Sequence, residues 1–261
     1  MFFSLPSWAV ALVIFGVVGG ACVAGAIAGR YLRRHTDALR EPIGVLQGAL
    51  LGVVGLILAF GLSLAVGRYE NRRAAVVDDA NTIGTTYLRA QMLAEPQRSE
   101  SLDLLRRYTD LAIELSHEVP GSDAMKRTTA EQSELQNRLW RLAGQSVAGA
   151  PTATVPRLYI ETLNEMIDQQ TVRVAGLNNR VPGAVLGLEV IGAAVVVGLL
   201  ALYLSVLGRG LVAAIAAAVL VTLLLLVTLD LDRPTRGLIT VPATPLETLR
   251  ASMERPPAAG P

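Results

Sequence analysis

The stretch VLGLEVIGAAVVVGLLALYLSV, residues 185–206, contains a single charged side chain, Glu189. Three other stretches are equally apolar, and each is close to the roughly 20 residues that a helix needs to cross about 30 Å of hydrocarbon. The sequence therefore predicts an all-α, polytopic membrane protein with four transmembrane helices. The other three spans are residues 8–28, 43–66 and 211–229.

Composition limits the classes of function open to the chain. Hydrophobic residues make up 52% of it and the formal net charge is only +1, so there is no basic surface for nucleic acid. The sequence has no glycine-rich phosphate-binding loop and no cysteine–histidine cluster with metal-ligand spacing. We therefore expect no enzyme activity, no cofactor and no metal site.

The spans are expected to form two hairpins, at residues 8–67 and 183–229. A polar helical-bundle domain at 68–182 is inserted between them, and a partly disordered tail follows at 230–261. The first span is full length and has no leading basic residues, so it is interpreted as a retained span and not as a signal peptide.

Four crossings place the N-terminus, the bundle and the tail on one side of a cell (inner) membrane. Arginines are dense in the two short hairpin tips, which favours cytoplasmic tips and an extracytoplasmic bundle. Other arginines flank the spans on the opposite side, so this bias is weak.

The polar segment is also predicted to be helical. Leucines recur at three- and four-residue steps over 102–115, residues 120–123 indicate a turn and an N-cap, and Pro156 suits a first helical turn. The simplest arrangement is a four-helix bundle whose outer helices continue the second and third spans. Pro182-Gly183 is expected to kink the second of these junctions.

Small residues follow one face of the second span, and a matching row follows the first. The two rows could pack together, because small side chains let helix backbones approach in lipid. Alternatively, the second-span row lines the axis of an oligomer and leaves a passage open. The rows are Gly44, Gly48, Gly52, Gly55, Ala59 and Ser63 in the second span, and Gly16, Gly20, Ala24 and Ala28 in the first.

An acidic residue inside a span is a candidate functional site. Glu189 could extend its carboxylate to the headgroups, pair with Arg68, or act as a proton or cation site. Its short distance in sequence from Pro182 favours the first two interpretations.

Two polar helical faces are predicted next to the membrane. A face of the helix after the second span contains Asp78, Thr82, Thr85 and Arg89, and a face of the last bundle helix contains Asn164, Asp168 and Thr171. These side chains could be solvated or hydrogen-bonded to one another. In a symmetric oligomer they would repeat as rings, and rings of charge and hydroxyl are one way in which channels select ions.

Aspartates and arginines cluster where the chain leaves the membrane. Asp230 and Asp232 could bind a hard cation through oxygen, but ion pairs with arginines on the same side are the favoured interpretation. The interfacial ion-pair candidates are Arg68, Arg72, Arg73, Asp230 and Asp232, with Arg180 as a further arginine partner.

Four motifs are R-Y-E-x-R-R at 68–73, D-A-N-x-I-G-T-x-Y-L-R at 79–89, N-E-M-I-D at 164–168 and D-x-D-R-P-x-x-G at 230–237. Together they resemble the bestrophin-like domain family of bacterial membrane proteins. The resemblance covers about residues 8–249 and implies kinship with bestrophins, which are pentameric anion channels with four spans, a cytosolic helical region and an axial pore. That kinship would place the bundle in the cytosol, opposite to the arginine bias. The second span departs from bestrophins in having Phe60 as its only aromatic residue.

Two hypotheses for the function follow. The first is a homo-oligomeric channel for small anions with the second span around its axis. The alternative is a non-conducting membrane sensor, anchor or accessory subunit whose helical domain binds a partner. In a channel the small-residue face of the second span should point to the axis, whereas in a binding module it should be buried against the first span.

Overall fold

The computed structural model describes residues 7–33, 40–208 and 210–255, and every regular element in these ranges is an α-helix. Parts of the predicted hairpin tips and of the tail lie outside the described residues, namely 34–39, Arg209 and 256–261. The helices are α1 (Ser7–Leu32), α2 (Arg40–Ala90), α3 (Gln97–His117), α4 (Asp123–Gly149), α5 (Thr154–Asn178), α6 (Gly183–Val206), α7 (Leu211–Leu231) and α8 (Thr244–Ser252).

Four helical segments are long and apolar enough to cross a membrane, which confirms the prediction of four apolar helices. They lie in Trp8–Leu32, Pro42–Ala90, Thr154–Val206 and Leu211–Leu231. The described chain divides into two compact units. We call residues 7–68 and 180–239 the membrane unit, and residues 69–179 and 240–255 the bundle unit.

In the membrane unit, α1 packs against α6 through glycines. A Cβ atom at Gly25 would overlap with the carbonyl oxygen of Gly198, and one at Gly29 would overlap with that of Leu202. Because the numbers rise together along both helices, α1 and α6 run in the same direction. Such close backbone approach gives helices dispersion contacts in lipid, where no hydrophobic force drives them together.

Helix α2 runs in the opposite direction along α6. A Cβ atom at Gly44 would lie 3.1 Å from the ring of Tyr203, near the end of α6. One at Gly61 would overlap with the carboxylate of Glu189, near its start. Helix α7 packs against both α1 and α6.

Two predictions about the helices that leave the spans have different outcomes. The second span does continue without a break, because α2 extends from Arg40 to Ala90. The third span does not continue α5 as one unbroken helix: α5 ends at Asn178 and α6 begins at Gly183, so the helix is interrupted at the predicted kink, with Pro182 as the N-cap of α6. Proline has no backbone N–H and disfavours the helical conformation of the residue before it, so no helix continues through Val181 and Pro182.

The core of the bundle unit is formed by α3, α4, α5, the second half of α2 and the tail helix α8. Tyr108 and Tyr159 are its largest fully buried side chains. The predicted cap of α4 is present, since the hydroxyl of Ser122 accepts a hydrogen bond from the Met125 N–H at 3.1 Å.

The tail helix α8 is a structural part of this core. Leu246 is fully buried, and Met253, just after the helix, is 1% exposed. The Tyr87 hydroxyl donates to the Met253 carbonyl oxygen at 3.1 Å, and Arg106 donates to the same hydroxyl at 2.9 Å. The docking of this helix was not predicted from the sequence.

Candidate functional site

The small-residue face of the second span is open in the protomer. Gly48, Gly52, Gly55 and Ser63 are all exposed on α2. Within the described residues, no heavy atom outside the helix lies within 4 Å of a Cβ atom built on any of the three glycines. A face with this composition would allow a second helix to approach closely or would leave space beside an axis.

The predicted packing between the two small-residue rows is wrong. Gly16 and Gly20 on α1 are also exposed, and positions for a Cβ atom on them are equally open among the described residues. Helix α1 uses Gly25 and Gly29 instead, and it packs them against α6. The principle of close packing by small residues was right, but the face of α1 was not.

Glu189 is 2% exposed and lies in a notch that Gly61 opens in the surface of α2. This burial contradicts the predicted extension of its carboxylate to the headgroups. The predicted pairing with Arg68 is not what the structure shows either, because Arg68 lies 3.9 Å from a carboxylate oxygen of Asp232. The structure therefore holds this acid inside the membrane unit, between two helices.

The polar residues predicted on α2 are on the surface of the bundle unit. Asp78 and Thr85 are exposed and Thr82 is half-buried. The Thr82 hydroxyl donates to the backbone oxygens of Asp78 and Asp79, both at 3.0 Å, and the Thr85 hydroxyl donates to that of Asn81 at 2.9 Å. These hydroxyls satisfy backbone groups of their own helix.

The polar face predicted on α5 behaves in the same way. Asn164 and Asp168 are both exposed, and the Asn164 amide donates to the Asp168 carboxylate at 3.3 Å. The hydroxyl and amide hydrogen bonds described above run along their own helices, whereas Arg89 of α2 donates to the Leu158 carbonyl oxygen of α5 at 2.6 Å. Their surfaces are available to solvent or to another copy of the chain.

Sequence reasoning missed a buried ion pair between α2 and α5. Arg173 donates to the carboxylate of Asp79 at 2.6 Å, and the two side chains are 2% and 1% exposed. The same guanidinium donates to the Ala112 carbonyl oxygen at 2.8 Å and to the Ser116 hydroxyl at 2.6 Å. Burial raises the pKa of Asp79, and the charge and the hydrogen bond of Arg173 oppose that shift.

A chain of buried amides extends this polar core. The Gln136 amide donates to the Tyr108 hydroxyl at 3.1 Å and to Gln170 at 2.9 Å, and Gln170 donates to Gln132 at 2.9 Å. Burial, and next the charge of Asp79, raise the pKa of Tyr108 above its usual range. The bundle unit is thus crosslinked internally by polar side chains.

Helical periodicity could have revealed the ion pair. Asp79 falls on the same face of α2 as Val76, Ile83 and Tyr87, which are all buried. Asp78 is the exposed neighbour, whereas Asp79 occupies an apolar position of the pattern.

The two aspartates at the end of α7 accept hydrogen bonds from backbone N–H groups. Asp232 is fully buried, and its two carboxylate oxygens accept from the Val181 N–H at 3.2 and 3.1 Å. Asp230 accepts from the N–H groups of Leu238 at 2.9 Å and Ile239 at 2.8 Å.

The arginines at the start of the bundle unit have contacts within that unit. Arg72 is 4% exposed and donates to the carbonyl oxygens of Gly176 at 3.1 Å and Asn179 at 2.7 Å, at the end of α5. A cation at a helix C-terminus is favourable because the carbonyl groups there carry partial negative charge. Arg73 forms an exposed pair with Glu70 at 3.7 Å. Within the described residues, no group of three or more His, Cys, Asp or Glu side chains is placed to hold a metal ion.

Comparison with known proteins gives a family and a fold. The bestrophin-like domain family matches residues 10–246. A crystal structure of a bacterial bestrophin homologue from Klebsiella pneumoniae, phased by Zn-SAD, is 12% identical with a TM-score of 0.66, and the alignment covers 89% of this chain and 96% of that one. A mutant of a bacterial bestrophin homologue from the same organism is 13% identical with a TM-score of 0.67, over 90% and 97% of the two chains.

The crystal structure of a mutant of a membrane protein is 15% identical to the chain with a TM-score of 0.66, over 92% of this chain and 97% of that one. No curated protein matches the chain. At these identities the likeness to the solved structures is one of fold.

Proposed function

Because the chain belongs to the bestrophin-like domain family, we propose that it forms a homo-oligomeric ion channel for small anions in a cell membrane. In this proposal the spans form two hairpins, the bundle is inserted between the second and third spans, and the second span surrounds a common axis. The open small-residue face of α2 is the observation that carries the proposal.

The open face needs a partner or a function in the membrane. Lipid tails pack poorly against a row of glycines, and small residues in spans usually allow another helix to approach. Among the residues that the structure describes, no other helix occupies the face at Gly48 and Gly52. Copies of α2 around an axis would use this row either for mutual contact or to keep a central passage wide.

The exposed polar residues of the bundle unit would also line the conduction path. In a symmetric oligomer Asp78 and Thr85 of α2, and Asn164 and Asp168 of α5, would repeat as rings. A ring of Asp78 carboxylates attracts cations, so it would oppose the passage of anions and limit the anion flux.

The alternative of a non-conducting sensor, anchor or accessory subunit is less well supported. It requires the small-residue face to be buried against the first span, and Gly48 and Gly52 are exposed instead. A protein of this class would be recovered as a folded, membrane-inserted protein that carries no current.

Reconstitution in planar bilayers tests the channel directly. We expect single-channel currents from purified protein, and a reversal potential in a chloride gradient that follows chloride. Gly52→Leu should reduce conductance strongly because it adds a large side chain to the proposed axis. Gly16→Leu is the matched control, because Gly16 is an equally open glycine of another span.

Native mass spectrometry supplies the second half of this test. A single higher oligomer is expected, and a monomer or dimer would exclude an axial pore. Absence of current from a folded oligomer would favour the non-conducting alternative.

Selectivity tests the rings. Asp78→Asn should raise the permeability of chloride relative to sodium, whereas Thr85→Ala should alter selectivity less because it removes no charge. An unchanged reversal potential in both variants would remove these residues from the conduction path.

Orientation can be measured independently. A single cysteine at the exposed Ser133 of α4, in a Cys22→Ser background, reports the side of the bundle. We propose an extracytoplasmic bundle from the arginine bias, so an impermeant thiol reagent should label this cysteine in intact cells. Labelling only after lysis would place the bundle in the cytoplasm.

A further inference from the structure

The membrane unit contains an apolar groove of about 410 Å³ at the end where α1 begins and α7 ends. Its walls are lined by Trp8 and Ala11 of α1, Leu223 and Val227 of α7, and Leu238 beyond α7. Its volume lies in the range of about 300–1,000 Å³ that is usual for ligand pockets. Because it opens beside the ends of two spans, we expect it to face the interfacial region of the bilayer.

One wall of the groove is a segment that folds back after α7. The Asp230 carboxylate accepts from the N–H groups of Leu238 and Ile239, at 2.9 and 2.8 Å. A Cβ atom at Gly237 would lie 2.8 Å from that carboxylate, so the turn depends on glycine. This turn holds the Leu238 side chain 96% exposed, close to the exposed Trp8. Exposed apolar patches of this kind mark interaction sites, and tryptophan prefers the membrane interface.

The polar end of the groove is lined by one acid and one base, Asp230 and Arg233. Further charges lie close enough to act on Arg233, those of Arg180, Arg236 and Asp232. Burial lowers the pKa of Arg233, the two aspartates oppose that shift, and the other two arginines add to it. The carboxylate of Asp232 is engaged by Val181 and lies 3.9 Å from Arg68. The cluster of these residues therefore contains two more arginines than aspartates.

We propose that this groove binds one anionic phospholipid, with an acyl chain against Trp8 and Leu238 and the headgroup phosphate at Arg233 and Arg236. The apolar walls distinguish this ligand from free phosphate, which would gain nothing from them. The excess of arginine distinguishes it from a zwitterionic lipid, which carries no net charge. The proposal is independent of ion conduction.

Native mass spectrometry of the full-length protein tests the proposal. The purified protein is equilibrated with equal amounts of phosphatidylglycerol and phosphatidylcholine that have the same acyl chains. We expect the wild-type protein to retain phosphatidylglycerol in preference. Arg236→Gln should lower that retention about fivefold, the effect of one arginine near an anionic surface. Leu238→Glu should abolish the preference, because it adds a carboxylate beside the acyl chain.

The matched control is Val212→Glu. Val212 is 81% exposed on the first turn of α7, at the other end of that helix, so it adds the same charge to an exposed apolar site away from the groove. Retention should remain at the wild-type level. Both groove variants alter exposed side chains, so the fold should survive, and thermal unfolding in detergent checks this.

Three results would overturn the proposal. The first is equal retention of the two lipids by the wild-type protein, and the second is unchanged retention in both groove variants. The third is loss of the oligomer in Leu238→Glu without loss of phosphatidylglycerol, which would assign the groove to a second copy of the chain.

Discussion

The membrane unit and the bundle unit of this chain are packed by different means. In the membrane unit α1 and α6 pack backbone against backbone at Gly25 and Gly198. In the bundle unit the core contains large aromatic side chains and a buried ion pair, Asp79–Arg173. Both units are helical, so secondary structure does not account for the difference.

The surrounding solvent does account for it. Around the bundle unit, water drives apolar surface inward, and this gain can offset the desolvation of a paired charge. Within a bilayer no such force acts between helices, so they associate through close packing of small residues. Glu189 is a buried acid within a span of the membrane unit, and it lies where Gly61 opens a space on α2.

The largest expected effect in the bundle unit comes from Arg173→Met. Removal of this guanidinium leaves the Asp79 carboxylate buried without its partner, which typically costs about 3–5 kcal/mol. Thermal or denaturant unfolding of the full-length protein in detergent would measure the loss. The double variant Asp79→Leu/Arg173→Met should recover most of the stability, because it replaces the charges with apolar groups. A single variant as stable as the double one would show that the pair contributes no specific energy.

Gly25→Ala should give the largest effect in the membrane unit. The added Cβ atom would overlap with the backbone of Gly198, so the helices must separate, and overpacking of this kind costs about 1–3 kcal/mol. Gly16→Ala is the control because its Cβ position is open within the described residues, and it should be neutral or slightly stabilising. Melting temperatures in the same detergent compare the two. Equal values would mean that the contact between α1 and α6 is easily adjusted.

The same contrast explains how much could be predicted from the sequence. The four apolar helices, the continuous α2 and the family were predicted correctly, because length, hydrophobicity and linear motifs carry that information. The face of α1 that packs against α6 was not, because small residues occur on several faces of that span. Helical periodicity alone cannot rank those faces.

The missed features of the bundle depend on tertiary contacts. Asp79 sits on an apolar face of α2, and only the position of Arg173 on α5 makes its burial tolerable. The docking of α8 through Leu246 is similar, because nine residues with few hydrophobic positions predict a helix but not its partner. Predicted rings at Asp78 and Asp168 stay predictions, since they depend on other copies of the chain.

A double-mutant cycle can test the contact between Gly61 and Glu189 in the membrane unit. Gly61→Ala should cost about 1–2 kcal/mol, since the new Cβ atom displaces the Glu189 carboxylate, which has a flexible side chain. In a Glu189→Ala background the same change should cost less, with an interaction energy of about 1 kcal/mol. Gly67→Ala on the same helix has open space among the described residues and serves as the control. Additive effects of the two substitutions would show that Gly61 and Glu189 have no interaction energy.

The smallest effect at neutral pH is expected for Tyr159→Phe. Burial raises the pKa of Tyr159 to about 12, above the value of about 10 in an unfolded chain. The folded protein therefore binds this proton more tightly. Its contribution to stability is complete below pH 10 and is lost, at about 1.4 kcal/mol per pH unit, as the pH rises towards 12. The phenylalanine variant should differ from the wild-type protein by at most about 1 kcal/mol at pH 7 and should lose less stability between pH 10 and 12.

Tyr108→Phe, which also removes the acceptor for Gln136, should cost more at pH 7 than Tyr159→Phe. Equal costs at pH 7 would indicate that the hydrogen bond from Gln136 to Tyr108 adds nothing to stability.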